Sequence, residues 1–320
     1  MNILIFGKDG QLGKAFRAVC SQKIEQQQHQ LHYVGRAECD LANSDAIAAF
    51  LNQVKPDLII NAAAYTAVDK AEAEIDLAFT INAKASDIMA QYAVANNATL
   101  LYYSTDYVFD GSKDGFYSED DPRNPLGIYG KSKAAGEQAI EDAFKNSPAQ
   151  SNGQYAIFRT SWVYGDGGNF IRTILRLAKD RESLNIISDQ HGVPTSAEWL
   201  AKVSLDLVLG ENGKMKHFPS GIYHAVPSGQ TTWHGLATLV VESAVEAGAS
   251  LKVKPSAIKP IFAVEYPLPA PRPMNSRMAC NRLQALWKGD TDINRRTQLL
   301  EPWDGLVNAY VHQLVRSKLI

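Results

Sequence analysis

Short apolar runs separated by stretches of helical period recur through the first half of the chain. Ile3–Phe6 is apolar at every position, the signature of a strand buried on both faces of a parallel sheet. Leu31–Val34, Leu58–Ile60, Thr99–Tyr103 and a run ending at Phe158-Arg159-Thr160 repeat the signal. Between them lie residues that can form helices: up to Cys20, through Asn52 to a stop at Lys55-Pro56, around Asn82, and from Tyr129 onward. Strand and helix in strict alternation predict an α/β fold, a Rossmann-like doubly wound parallel sheet.

The second half is less regular. Its pattern predicts a Gly- and aromatic-rich loop from Trp162 to Phe170, helices over Phe170–Lys179, Ala197–Leu209 and Thr232–Ala247, and strands at Asn185–Ile187 and Gly221–Ala225. Prolines crowd the stretch from Pro255 to Pro273, which suits crossing loops. The expected organisation is a dinucleotide-binding domain over residues 1–165, with returns near 196–220 and 229–252. A smaller discontinuous substrate domain takes 166–195, 221–228 and 253–320.

Composition narrows the function classes. A chain of 320 residues that is 45% hydrophobic can bury one large core or two unequal ones, which argues against disorder. The 32 Lys plus Arg against 34 Asp plus Glu leave no electrostatic basis for binding nucleic acid or an anionic membrane. Cys20, Cys39 and Cys280 are odd in number and lack metal-ligand spacing, so packed thiols of a reduced, cytoplasmic protein are expected. The apolar start is short and has no basic leader, so it reads as a first strand.

The candidate chemistry begins at the end of that strand. Gly7-Lys8-Asp9-Gly10-Gln11-Leu12-Gly13 has glycines that let a backbone approach a pyrophosphate at a helix N-terminus, although Gly-x-x-Gly-x-x-Gly departs from the commoner fingerprint. An ordinary strand-to-helix turn would use the same residues. Arg36, just past the second strand, can accept a 2′-phosphate and tilts the cofactor toward NADPH. A solvated loop arginine is the alternative, and Asp40-Leu41 can meet the adenine edge instead, so NADH use stays open. The small residues after Leu58–Ile60, Asn61 to Ala64, would admit a flat cofactor at a strand's carboxyl end.

Tyr129 and Lys133 lie four apart at the start of a helix and can face one site. A phenol titrates near pH 10, and a neighbouring ammonium is expected to lower that value and make Tyr129 a usable acid. The Thr105 hydroxyl, leaving the fourth predicted strand, can orient a carbonyl oxygen, and Ser104 beside it is better assigned to cofactor or backbone packing. His191 and His224 read as structural, and Arg272 and Arg277 could bind a diphosphate or form salt bridges, with Arg277 favoured.

Taken together, these stretches resemble the dTDP-4-dehydrorhamnose reductase family of the extended short-chain dehydrogenases/reductases. The resemblance runs through Gly10–Gly13, Asn61–Glu72, Ser104–Phe109, Tyr129–Lys133 with Gly136-Glu137, Arg159–Gly165, Asn169-Phe170, Asp189–Thr195 and Arg272–Arg277. It implies that Gly10, Gln11 and Leu12 meet the pyrophosphate, Asp40 and Leu41 the adenosine, and Ala63, Ala64 and Tyr65 the middle of an NADPH or NADH cofactor. Thr66, Val68, Thr105, Asp106 and Trp162 would surround the nicotinamide or the sugar nucleotide. Tyr129 would be the acid and Lys133 its ribose-binding partner. The activity implied is reduction of the C4 ketone of dTDP-4-dehydro-L-rhamnose to dTDP-L-rhamnose, for O antigen or another surface polysaccharide.

Some family members form a magnesium-linked homodimer through acidic side chains; here Ala15 stands in the amino-terminal helix, and Glu198 alone keeps a second acidic position. No essential metal is therefore expected, and the homodimer stays open. A dehydratase or epimerase could share the Tyr-Lys pair, but Asp106 is followed by Tyr107 and not by the second acid that dehydratases of the superfamily carry. A regulatory subunit of similar fold would not need the complete Tyr129 and Lys133 set.

Overall fold

The computed structural model describes residues 1–23, 29–148, 150–210, 212–288 and 292–320. The first half alternates as β1 (Asn2–Phe6), α1 (Gln11–Lys23), β2 (Gln30–Val34), α2 (Ser44–Val54), β3 (Leu58–Asn61), α3 (Val68–Ala71), α4 (Ile75–Phe79), α5 (Ala85–Asn96), β4 (Thr99–Thr105), α6 (Ile128–Lys145) and β5 (Gln154–Thr160). The second half adds β6 (Val163–Tyr164), α7 (Phe170–Asp180), β7 (Leu184–Ile187), β8 (His191–Gly192), β9 (Thr195–Ser196), α8 (Ala197–Val208), β10 (Gly221–His224), β11 (Thr231–Thr232), α9 (Trp233–Glu246) and β12 (Ile258–Ile261). Helices α10 (Asn281–Trp287), α11 (Ile293–Gln298) and α12 (Trp303–Arg316) close the chain.

One six-stranded sheet in the order β10-β5-β4-β3-β1-β2, parallel throughout, organises the molecule. Successive strand residues point to opposite faces, so each apolar run feeds two cores. Ile3, Ile5, Leu58, Ile60, Leu101 and Phe158 pack under α1 and α8 with Phe16, Leu200 and Val203. Leu4, Phe6, Ile59, Leu100, Tyr102 and Ile157 pack under α2, α5 and α6 with Leu51, Met89 and Ile140. Burial on both sides is why the strands read as continuous apolar runs. The predicted α/β doubly wound sheet is what forms.

A third core is built from α7, α9 and α12, through Ile174, Leu175, Val240, Val241, Val307 and Val311. This packing corrects the expected division at two places. Residues 221–224 extend the large sheet as β10 beside β5, whereas the helix within 229–252 packs against α7 and α12, away from that sheet. The reason lies in neighbours far along the chain: β10 finds a parallel edge, and α9 finds α12, an amphipathic helix absent from the sequence reading.

The strand order reverses between β1 and β3, and the crevice at the carboxyl ends of an open sheet opens at such a point. Gly7 sits there with φ of 85°, and a Cβ on it would lie 2.8 Å from the backbone of Ala62 and Ala63. A Cβ on Gly13 would lie 2.0 Å from the Gly7 carbonyl oxygen, so α1 can start this close to β1 only with glycine at both positions.

Candidate active site

A cleft of about 840 Å³ runs from Arg36 and Asp40, past the Gly7–Leu12 turn and the Ala63–Thr66 loop, to Thr105, Tyr129, Lys133 and Trp162. Its volume lies in the range of cofactor and ligand pockets. Of the predicted site residues, Gly7, Gly10, Gln11, Leu12, Arg36, Asp40, Leu41, Ala63, Ala64, Tyr65, Thr66, Val68, Thr105, Asp106, Tyr129, Lys133 and Trp162 line it together. Gly13 is not on the wall and acts through the close packing just described. Arg277 is also off the wall. Its guanidinium donates to Asn275 Oδ1 at 2.7 Å and to Gln230 Oε1 at 3.1 Å.

At the glycine turn, the Gly7 and Lys8 amides donate to the Val34 carbonyl at 2.8 and 3.1 Å, which holds the turn against the end of β2. Helix α1 then presents its first-turn N–H groups, which have no partner within the helix, to the cleft. Arg36, 79% exposed, bonds Asp40 at 3.1 Å, and Asp40 also caps the Ala42 amide at 3.0 Å. These backbone and arginine bonds hold the Asp40 carboxyl below its ordinary range.

Asn82 ties the middle of the cleft together. It sits in a π-helical segment, Thr80–Lys84, a local unwinding frequent at functional sites. Its Oδ1 accepts from the Tyr65 amide at 2.9 Å, and its Nδ2 donates to the Tyr65 carbonyl at 3.1 Å and to Ser132 Oγ at 3.0 Å. The loop after β3 is thereby fixed to α6. That helix has no side-chain cap of its own at Gly127; instead Glu72 accepts from the Ile128 amide at 2.8 Å. A carboxylate at a helix N-terminus also complements its dipole.

On α6, Tyr129 and Lys133 enter the cleft one turn apart. Lys133 is 1% exposed, and its ammonium lies 3.9 Å from the centroid of the Tyr102 ring. Burial pulls its pKa down to about 7, against the opposing pull of Glu137. Tyr129 stands edge-on to Tyr107, with ring centroids 5.4 Å apart at 75°. Burial pushes its phenol up to about 12, with the Thr105 hydroxyl pulling the other way. This corrects the expected downward shift. Deep in the cleft, desolvation outweighs the Thr105 hydroxyl, and the Asp106 carboxyl adds to the rise. The phenol is therefore fully protonated at neutral pH, the state in which it can donate.

Thr105 Oγ1 donates to Asp106 Oδ1 at 2.9 Å and accepts from the Tyr107 amide at 3.2 Å. Burial pushes the Asp106 carboxyl up to about 6, with hydroxyls of Ser276 and Thr105 opposing. At the far end, Trp162 takes a left-handed conformation with φ of 48° and stacks on Trp233, centroids 3.6 Å apart at 15°. Arg272 makes a bidentate pair with Asp69, at 2.6 and 2.8 Å, at the start of α3. His224 is buried with Nδ1 3.1 Å from the Ala279 carbonyl, and burial pulls it down to about 3, a structural role.

A bound dinucleotide fits this wall. Lys133 Nζ, Ser104 Oγ and Thr160 Oγ1 are buried without hydrogen-bond partners among the described residues, and all three belong to the cleft. Such groups are costly unless a ligand satisfies them. No group of three or more potential metal ligands from His, Cys, Asp and Glu gathers among the described residues, and no helix among them is long and apolar enough to cross a membrane. Glu198 pairs with Lys202 at 2.7 Å, and Ala15 packs against the first core.

Three features were given no role in the sequence reading. Tyr107 and Trp233 both line the cleft. Beneath it, Glu137 receives Arg159 through two bonds of 3.0 and 2.7 Å, both residues essentially inaccessible. Glu137 lies one turn beyond Lys133, so helical spacing alone could have found it; Trp233 meets Trp162 only through the tertiary fold.

The RmlD substrate binding domain model matches residues 1–298. The dTDP-4-dehydrorhamnose reductase of Salmonella typhimurium is 42% identical over 288 residues, covering 89% of this chain and 91% of that protein. The crystal structure of a dTDP-4-dehydrorhamnose reductase from Clostridium acetobutylicum is similar with a TM-score of 0.83 at 32% identity, covering 98% of this chain and 99% of that one. The enzyme from Bacillus anthracis, solved in complex with NADP, gives a TM-score of 0.81 at 29% identity over 98% of this chain and 99% of that one.

Proposed function

The chain belongs to the RmlD substrate-binding-domain family, that of the dTDP-4-dehydrorhamnose reductases, and on that premise we propose that it reduces the C4 ketone of dTDP-4-dehydro-L-rhamnose to dTDP-L-rhamnose with NAD(P)H. The product is the activated sugar for a surface polysaccharide. The observation that carries this reading is a protonated Tyr129 phenol on the wall of a cleft that also presents a dinucleotide cradle.

Bound NAD(P)H supplies the hydride received at C4, and the protein supplies alignment and the proton. Tyr129 gives its proton to the O4 atom as that oxygen gains charge, and a proton from solvent restores the phenol. Thr105 turns its hydroxyl hydrogen from Asp106 Oδ1 to the carbonyl oxygen, and Asp106, freed of that bond, accepts from a sugar hydroxyl. Lys133 holds the nicotinamide ribose and favours the phenolate left by proton donation. Gln11 and Leu12 take the pyrophosphate on backbone N–H groups, with Gly7 and Gly10 letting the turn come close to it, Asp40 and Leu41 take the adenosine, and Ala63, Ala64 and Tyr65 the middle of the cofactor. Thr66, Val68 and Trp162 border the sugar nucleotide. Arg36 favours NADPH over NADH by pairing with the 2′-phosphate.

The test is a reaction of the purified protein with dTDP-4-dehydro-L-rhamnose and NADPH. Loss of absorbance at the reduced-nicotinamide band should match, mole for mole, dTDP-L-rhamnose identified by NMR. Cofactor oxidation without that product would defeat the assignment, and a product formed with the cofactor returned unchanged would point to epimerisation.

A further inference from the structure

On α6, Tyr129, Lys133 and Glu137 follow at intervals of four, so they form one stripe, and the stripe continues past the cleft floor into the core. Lys133 and Glu137 are 1% and 0% exposed. Glu137 is gripped from the end of β5 by the Nε and Nη2 edge of the Arg159 guanidinium, and Arg123 reaches its Oε2 at 3.2 Å before continuing to Glu141 at 2.8 Å. A charged pair sealed inside a protein is seldom the cheapest way to fill that volume, because well-packed apolar side chains often do as well. Lys133, meanwhile, has no hydrogen-bond partner of its own among the described residues. An isolated buried ammonium loses its proton unless a negative charge stands nearby.

We infer that Glu137 is a positioning residue for the reductase site: its carboxylate, fixed by Arg159 and Arg123, keeps the Lys133 ammonium charged in the dry floor of the cleft, ready for the cofactor ribose. The inference rests on the reading of Lys133 as the ribose ligand. The titratable and charged groups packed around this stretch are Tyr129 and Glu137 on its own helix, Tyr102 from β4, Asp106 just beyond β4, and Arg159 from β5, with Arg123 behind Glu137; the Tyr102 ring touches the ammonium, and Glu137 is the charge that acts on it. Asn82 and Ser86 on the opposite wall carry no charge, so Glu137 is the nearby anion along the stripe. The Lys133 pKa near 7 agrees with this balance, since burial lowers it and Glu137 raises it.

The experiment reads NADPH affinity by fluorescence titration between pH 5.5 and 9.5, without sugar, so that turnover does not enter. Affinity should fall as pH rises through the Lys133 titration, because the charged form is the one that binds. Removing the negative charge with Glu137→Gln should move this fall to lower pH by about one unit or more, and removing the positive charge with Arg159→Met should move it to higher pH. The double variant replaces the ion pair by neutral groups of similar volume and should return the midpoint toward that of the unaltered protein; it also serves if either single variant folds poorly. Opposite shifts in the two single variants support the inference. Lowered melting temperatures with an unmoved midpoint would make the pair a structural brace and overturn it. Lys133→Met should abolish the pH dependence. If it leaves NADPH affinity unchanged, the ribose role of Lys133 fails and the inference with it, an outcome separate from failure of Glu137 alone.

Discussion

The Lys133 ammonium rests over the face of Tyr102 at 3.9 Å from its centroid, and the Tyr102 hydroxyl beneath it donates to the Asn82 carbonyl at 3.0 Å. The ring gives partial compensation for lost water, since a cation over an aromatic face is worth about 2 kcal/mol when desolvated. The cost of burial is larger and shows as the fall of the lysine pKa to about 7.

That fall has a consequence for stability. The unfolded chain holds a proton on Lys133 up to about pH 10.4, and the folded cofactor-free protein gives it up near pH 7. Between those values the unfolded state binds more protons, so this residue makes folding more favourable as pH rises, and its penalty is complete below pH 7. Lys133→Met should therefore raise the melting temperature of the cofactor-free protein, by more at pH 6 than at pH 9. A gain independent of pH would show that the lysine is not buried in charged form.

Tyr129→Phe keeps the ring that packs against Tyr107 and removes the proton. Turnover should drop roughly 10²- to 10⁴-fold while NADPH affinity stays within about threefold. Single-turnover measurement with saturating cofactor checks this. Unchanged turnover would remove the phenol as the acid.

Arg36→Ala should weaken NADPH roughly tenfold more than NADH, because a guanidinium–phosphate bond is charge-assisted and NADH lacks the phosphate. The existing bond to Asp40 is exposed and worth less than about 1 kcal/mol, so it competes poorly. Equal losses for the two cofactors would assign Arg36 no part in the choice.

Exhaustive chelation of divalent ions should leave both activity and oligomeric state unchanged. Ala15 offers no carboxylate, and Glu198 is already paired with Lys202. A loss reversed by magnesium, seen in the rate or in light scattering, would contradict this.

The parallel strands were legible because burial on both faces leaves no polar alternation to confuse the pattern, as in Ile3–Phe6 and Leu58–Ile60. The wall of the cleft was legible for a related reason: its residues sit at strand ends, where Gly7, Ala63 and Thr105 mark the carboxyl edge of the sheet one after another. Sequence pattern carries neither depth nor distant partners. The direction of the Tyr129 shift depends on how much water reaches the phenol, and the Trp162–Trp233 stack on two segments meeting across the fold. Arg159 looked like the polar end of a strand, and only Glu137 on the buried face of α6 shows why it is buried. Helix α12 was readable in principle, since Val307, Val311 and Leu314 recur at helical spacing, but the proline-rich stretch before it drew the expectation toward loops.

The place of β10 at the rim of the sheet bears on how the protein can be divided. A fragment ending at residue 165 would leave β5 as a naked edge, with Ala156, Ile157 and Phe158 uncovered and the face under Leu200 and Val203 stripped of α8. Unpaired apolar edges of this kind recruit other chains and aggregate. The cofactor-binding half is thus an autonomous unit in architecture and a dependent one in synthesis: its sheet stays unfinished until the strand at 221–224 has left the ribosome, long after the residues that cradle the nucleotide.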